Sequence, residues 1–127
     1  MMEDQHIEIP SITLHWSEWT PWEQVFRLVA EGGANIPNRP GVYEARREGE
    51  EERLTIGKAA NLRMRVKRGL VRGQTPHSAG IKIRAQEPVA GIVVRWAETE
   101  RPAAVEEHLH QEHKRRFGRL PEYVDHT

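Results

Sequence analysis

The strongest constraint on this 127-residue chain is a change of hydrophobic period near its middle. Val42, Tyr43 and Ala45 open a strand, the polar stretch Glu48 to Glu52 around Gly49 supplies a turn, and Leu54-Thr55-Ile56 opens a second strand that stops at Gly57. Two such runs separated by a glycine-containing polar turn form a β-hairpin. The period then lengthens: Asn61 suits a helix N-cap, Leu62 and Val66 lie four residues apart on the inner face, and Gly69 is placed to end the helix.

Beyond the hairpin and helix, His77 to Gln86 reads as loop with a short strand at Ile81 to Ile83. Gly91 to Trp96 is a β-branched run and a clear strand. Thr99 then caps a helix through Phe117 with Ala103, Ala104, Leu109 and Val105 available for the core. Upstream, Ile12, Leu14 and Trp16 alternate with polar residues as in a short strand or extended segment. Thr20-Pro21-Trp22-Glu23 has the form of a capping box, and Trp22, Val25, Phe26 and Val29 recur at helical spacing up to Gly32-Gly33. Residues 34 to 40, rich in asparagine and proline, read as a linker. The expected layout is an N-terminal extension over 1–38 (short strand plus helix 21–32), a domain over 39–119, and a tail over 120–127. Trp16, Trp19 and Trp22 are expected to cover the core.

A chain of this length holds one domain with a modest core. There is no cysteine, which removes disulfide frameworks, thiolate zinc sites and cysteine nucleophiles and suggests a reducing compartment. The sequence MMEDQHIEIP lacks a basic n-region and an apolar h-region, and apolar runs elsewhere are short, so a soluble cytoplasmic protein is expected. Net charge is zero, yet its distribution is uneven. From Gly57 to Arg95 nine basic residues face the single acid Glu87, whereas residues 1–32 carry six acids against Arg27 alone. That asymmetry would present a basic side to a polyanion, although a solvated basic surface has the same composition.

Pro40-Gly41-Val42-Tyr43, then Thr55-Ile56-Gly57-Lys58-Ala59 followed by Asn61-Leu62-Arg63-Met64-Arg65-Val66, resembles the GIY-YIG nucleases. The likeness is closest to their bacterial excision-repair branch, whose text runs roughly PGVY and then YVGKAKNLRxRV. Glu106 to Phe117 is similar to the family's closing helix, with Leu109, Lys114 and Phe117 in register when Glu106 is taken as the metal ligand. The resemblance spans Gly41 to Gly118. It implies an α+β fold, a three-stranded antiparallel sheet flanked by helices in the order β-β-α-β-α, preceded by the helical extension.

The resemblance also implies a hydrolysis of DNA phosphodiesters leaving a 5′-phosphate and a 3′-hydroxyl. Tyr43 would be the general base, its phenol at the sheet surface near Lys58, whose charge would lower its pKa. Arg65 would steady the phosphorane, since a planar guanidinium suits two phosphoryl oxygens. Glu106 would be the sole protein ligand of Mg²⁺ or Mn²⁺, hard ions that favour oxygen and keep much of their water. Glu107 is the competing assignment, about 100° round the helix. His77 joins the site as a hydrogen-bond donor or proton shuttle, or is an exposed bystander. Arg63, Lys67, Arg68, Arg72, Lys82 and Arg84 would contact backbone phosphates and set affinity and salt dependence. His108, His110 and His113 lack HExxH spacing and a cysteine partner, so a solvated helix face is expected there.

Two positions depart from the pattern. The second motif's tyrosine is Thr55, whose hydroxyl reaches less far, and the asparagine that closes the domain in the family is Gly118. Two functions follow: a DNA endonuclease, with branched or damaged DNA as candidate substrates, a repair role and RNA left open, or a catalytically degenerate nucleic-acid-binding module on the same scaffold.

Overall fold

Thr20 and Pro21 enter a sheet rather than opening a helix. The computed structural model describes residues 12–30, 36–66, 70 and 79–124. In it Thr20–Pro21 form a two-residue strand, β1, and the helix α1 starts one residue later and runs Trp22–Ala30. The Thr20 hydroxyl donates to the Glu18 carbonyl at 3.1 Å, so the expected capping box is not made. The extended stretch before it, with Ile12, Leu14 and Trp16, has no strand assignment. It is tied to the sheet by the Ser17 N–H donating to the Trp96 carbonyl at 2.8 Å and the Trp96 N–H donating to Ser17 Oγ at 3.0 Å.

The hairpin forms as expected, from Gly41–Arg47 (β2) and Arg53–Ala59 (β3). Asn61 caps the short helix α2, Leu62–Met64, its side chain accepting the Met64 N–H at 3.1 Å. Leu62 and Val66 are both fully buried, each worth about 1.5–3 kcal/mol of apolar transfer. Ala79–Gln86, read from sequence as loop with a short strand, is a helix, α3. Of its two isoleucines Ile83 is buried and Ile81 exposed, and two apolar residues two apart are as compatible with a strand as with a one-sided helix. A 3₁₀ turn at Val89–Gly91 leads into Ile92–Glu98 (β4).

The last helix, α4, spans Pro102–Phe117. It begins three residues after Thr99, whose hydroxyl instead accepts the Arg101 N–H at 3.1 Å, with Pro102 in the first turn where a missing N–H costs nothing. Val105 is its buried apolar contact, and Ala103 and Ala104 are exposed, opposite to expectation for the two alanines. Gly118 ends it in the left-handed region at φ 80°, a conformation that asparagine also tolerates.

The sheet has four strands in the order β1-β4-β2-β3, every neighbouring pair antiparallel. The expected three are present, and β1 adds a fourth by pairing Thr20 with Val94 on the rim of β4, where a proline lacking an N–H is acceptable. On one face Tyr43, Ala45, Val94 and Trp96 pack with Trp22 and Val25 of α1, Ile36, Leu62, Val66, Leu70 and Ile83. The other face carries Val42 and Ala97 against Val105 of α4, with Leu14, Trp16 and Leu109 alongside. The segment read as a linker contributes Ile36 to the first core, and the Arg63 guanidinium donates to the Ile36 carbonyl at 2.8 Å. Phe26 and Val29 side chains, Gly32, Gly33 and Gly69 lie outside the described residues.

Candidate active site

The hairpin positions the first group. Tyr43 stands opposite Gly57 on β3 and Trp96 on β4, and only 1% of it is exposed. Its ring lies across Gly57 so closely that a β-carbon there would overlap the phenol oxygen and the adjacent ring carbons. The glycine after Thr55-Ile56 is therefore demanded by packing. This corrects the expectation of a phenol at the sheet surface: the ring is buried, and its oxygen reaches the outer strand because Gly57 has no side chain. Thr55 pairs with Ala45, two residues along both strands from the Tyr43–Gly57 pair, so it shares that face. Its hydroxyl is buried, with no hydrogen-bond partner among the described residues.

Lys58 pairs with Val42 and so points to the α4 face, away from the Tyr43 side. There its ammonium lies 4.0 Å from the Glu106 carboxylate, with the lysine side chain 50% exposed and the glutamate 7%. The expected Lys58–Tyr43 proximity is thus replaced by a Lys58–Glu106 pair. Glu107, one residue on, is exposed, yet it borders the same cleft as Lys58 and Glu106 rather than facing away from it as expected. Lys58 and Glu106 line a cleft of about 330 Å³ with Glu107, His110, Gln111 and Lys114. The Glu106 carboxylate faces this cleft from the helix side.

Arg65 ends α2, half-buried, and its guanidinium forms no ion pair or hydrogen bond with another described residue. Arg63 is drawn inward to Ile36, and Lys82 and Arg84 are exposed on α3. His77, Lys67, Arg68 and Arg72 fall outside the described residues. The structure therefore joins Glu106 to Lys58 and Tyr43 to Gly57 and Thr55, on the two sides of the outer strand.

Two histidines on α4 are sheet contacts, contrary to the solvated face expected for them. His110 Nε2 donates to the Ile56 carbonyl at 2.9 Å. His113 is buried; its Nε2 accepts the Arg53 N–H at 3.2 Å and its Nδ1–H donates to the Arg119 carbonyl at 2.7 Å, a pattern only the neutral ring can make. Burial holds its pKa below the ordinary histidine value. Among the described residues no group of three or more histidine, aspartate or glutamate side chains is placed to hold a metal ion together.

Sequence reasoning missed a charge cluster beside the site. Glu44, 4% exposed at its side chain, accepts Arg53 Nε at 2.9 Å and Arg95 Nη2 at 2.8 Å. Trp19 stacks on the guanidinium carbons of Arg46, Arg53 and Arg95 at 4.2, 5.0 and 4.5 Å, and Trp16 on Arg95 at 4.1 Å. Of the tryptophans expected to cover the core, Trp22 is in it, Trp16 both packs against the second core and stacks on Arg95, and Trp19 covers cations. Arg95, counted from sequence with the basic side, is spent inside this cluster, where burial lowers its pKa. The alternation of Glu44 with apolar neighbours was the available signal, but its partners lie 9 and 51 residues away.

No protein family and no curated protein matches the chain at the sequence level. Among solved structures it is similar to the GIY-YIG N-terminal endonuclease domain of UvrC from Thermotoga maritima, a point mutant bound to its catalytic divalent cation. The TM-score is 0.51 at 22% identity, over 80% of this chain and 94% of that domain. The four-stranded antiparallel sheet, with its hairpin, capped helix and closing helix, accordingly has the GIY-YIG fold in the form seen in the UvrC domain.

Proposed function

We propose that the chain is a divalent-metal-dependent endonuclease that hydrolyses DNA phosphodiesters to a 5′-phosphate and a 3′-hydroxyl. The observation that carries this reading is Glu106: a carboxylate 7% exposed, on the inner side of a helix, facing a polar cleft with a lysine beside it. A buried carboxylate is costly unless it is paired or holds a cation. A single oxygen donor at a cleft fits a magnesium or manganese ion, which keeps most of its water and takes one or two protein carboxylates. When bound, such an ion supplies Lewis-acid stabilisation of the phosphate and the leaving oxygen.

The remaining roles belong to the chain's own side chains. Glu106 would hold the divalent ion, through whose positive charge the scissile phosphate would be positioned. Arg65, without a protein partner among the described residues, offers its guanidinium to the phosphorane oxygens. The Tyr43 oxygen, brought to the outer strand over Gly57, would take the proton of the attacking water in its phenolate form, becoming the phenol. Arg63, Lys82 and Arg84 would hold flanking phosphates. The biological setting we propose is processing of branched or damaged DNA in the cytoplasm.

One observation favours a second reading, a binding module that does not cut: Tyr43 is 1% exposed and the Thr55 hydroxyl is buried. The test is magnesium-dependent cleavage of branched, gapped and plain DNA and of RNA by the protein and by Tyr43→Phe and Glu106→Ala. The enzyme reading expects nicking that needs the metal and both side chains. Retarded but uncut nucleic acid, equally bound by all three proteins, would leave the binding module.

A further inference from the structure

The Lys58–Glu106 pair occupies the same carboxylate that the proposed function assigns to a metal. Its ammonium is 4.0 Å from Glu106 Oε1, and half of the lysine side chain is in solvent while the glutamate is enclosed. The mobile partner is therefore the lysine. Lys114, on the same helical face two turns beyond Glu106, and His110 between them line the same cleft. His110 is held through the Ile56 carbonyl. Among the described residues the Glu106 carboxylate is the ion-pair partner of Lys58, whose half-exposed side chain lines the cleft.

We propose that Lys58 is an internal counter-cation that couples metal binding to nucleic-acid binding, an inference that rests on the reading of Glu106 as the metal ligand. Without substrate the ammonium competes with a divalent ion for the Glu106 carboxylate, so the metal binds weakly. A backbone phosphate in the cleft offers the ammonium a second anion, and the flexible four-carbon stem lets it transfer. Glu106 is then released to the metal. Because the coupling is a free energy between two sites, it is reciprocal: the metal must raise affinity for the phosphodiester by the factor by which the phosphodiester raises affinity for the metal. The enzyme would in this way load its ion together with the strand to be cut.

The experiment titrates Mn²⁺ into the full chain, following free ion by its electron paramagnetic resonance signal, with and without a phosphorothioate-protected DNA duplex and with ion bound to the duplex alone subtracted. Wild type, Lys58→Met, Lys58→Arg and Glu106→Gln are compared. In Lys58→Met without DNA the ion should bind about fivefold more tightly than in wild type, the order a half-exposed ion pair supports. The gain on adding DNA should shrink by the same factor, while Lys58→Arg should keep both wild-type features. Metal affinity and DNA coupling unchanged in Lys58→Met would overturn the proposal. Glu106→Gln separates the two levels: if it leaves Mn²⁺ binding intact, the metal reading of Glu106 itself fails, and the coupling falls with it.

Discussion

Replacing Gly57 with alanine inserts one methyl group where the Tyr43 ring lies. A β-carbon at 57 would overlap the phenol oxygen and two ring carbons, and the ring has little room to move, being 1% exposed between Gly57 and Trp96. Overpacking of this kind costs about 1–3 kcal/mol. Alanine also restricts the unfolded chain, which returns about 0.4–1 kcal/mol. The net expectation is a loss of about 1–2 kcal/mol, or a melting temperature lower by about 5 °C for a domain of this size. Differential scanning calorimetry gives the loss, and a double-mutant cycle gives its cause. Combined with Tyr43→Leu, which removes the ring, Gly57→Ala should be neutral or stabilising; combined with Tyr43→Phe it should remain costly, because ring carbons as well as the oxygen are in the way. Equal losses in all three backgrounds, or no loss in the wild type, would refute the packing argument and leave Gly57 as an ordinary strand glycine.

The charge cluster makes its own demand. Glu44→Gln leaves the Arg53 and Arg95 guanidiniums without their shared carboxylate, and urea unfolding should show a loss of about 3 kcal/mol, the scale for breaking a buried pair from one side. Trp19→Ala removes a surface stacked on three guanidiniums, at about 0.5–1 kcal/mol for each exposed cation–π contact, and should hasten proteolysis within residues 12–19. His113 should impose a pH dependence: its folded pKa is below the unfolded value of about 6.5, so the unfolded chain takes up the proton first and stability falls as pH drops below that value. Chemical unfolding from pH 8 to pH 5 should show this slope in wild type, and a flatter one in His113→Gln.

The hairpin and the Asn61 cap were legible because each depends on neighbours in sequence: a polar turn between β-prone runs, and a side chain three residues from the N–H it accepts. The burial of Leu62 and Val66 followed from the same short range. What was not legible depends on distant partners. Thr20-Pro21 carries every local mark of a helix start, yet the unpaired rim of β4 recruits it, a tertiary demand that local propensity cannot anticipate. Ile81 and Ile83 give no period that separates helix from strand. At the candidate site, the residue types of Glu106 and Lys58 were readable, but their pairing was not, because it depends on strand alternation placing Lys58 on the side opposite Tyr43. The Glu44 cluster joins residues from three strands, and the two tryptophans that cover it come from a fourth segment.

The outermost strand has one more consequence, for how copies of the chain behave towards each other. Outward-pointing groups on β3 alternate, and two of its carbonyls are already taken: Leu54 by the Tyr123 N–H at 2.7 Å and Ile56 by His110 at 2.9 Å. The next outward position is Lys58, whose charge discourages a neighbouring strand. At the opposite rim β1 offers two residues, one of them proline. Among the described residues, strand addition is thus hindered at both borders of the sheet, by two occupied carbonyls and a lysine at one and by shortness and a proline at the other, so a concentrated solution of this protein should resist self-assembly through its sheet.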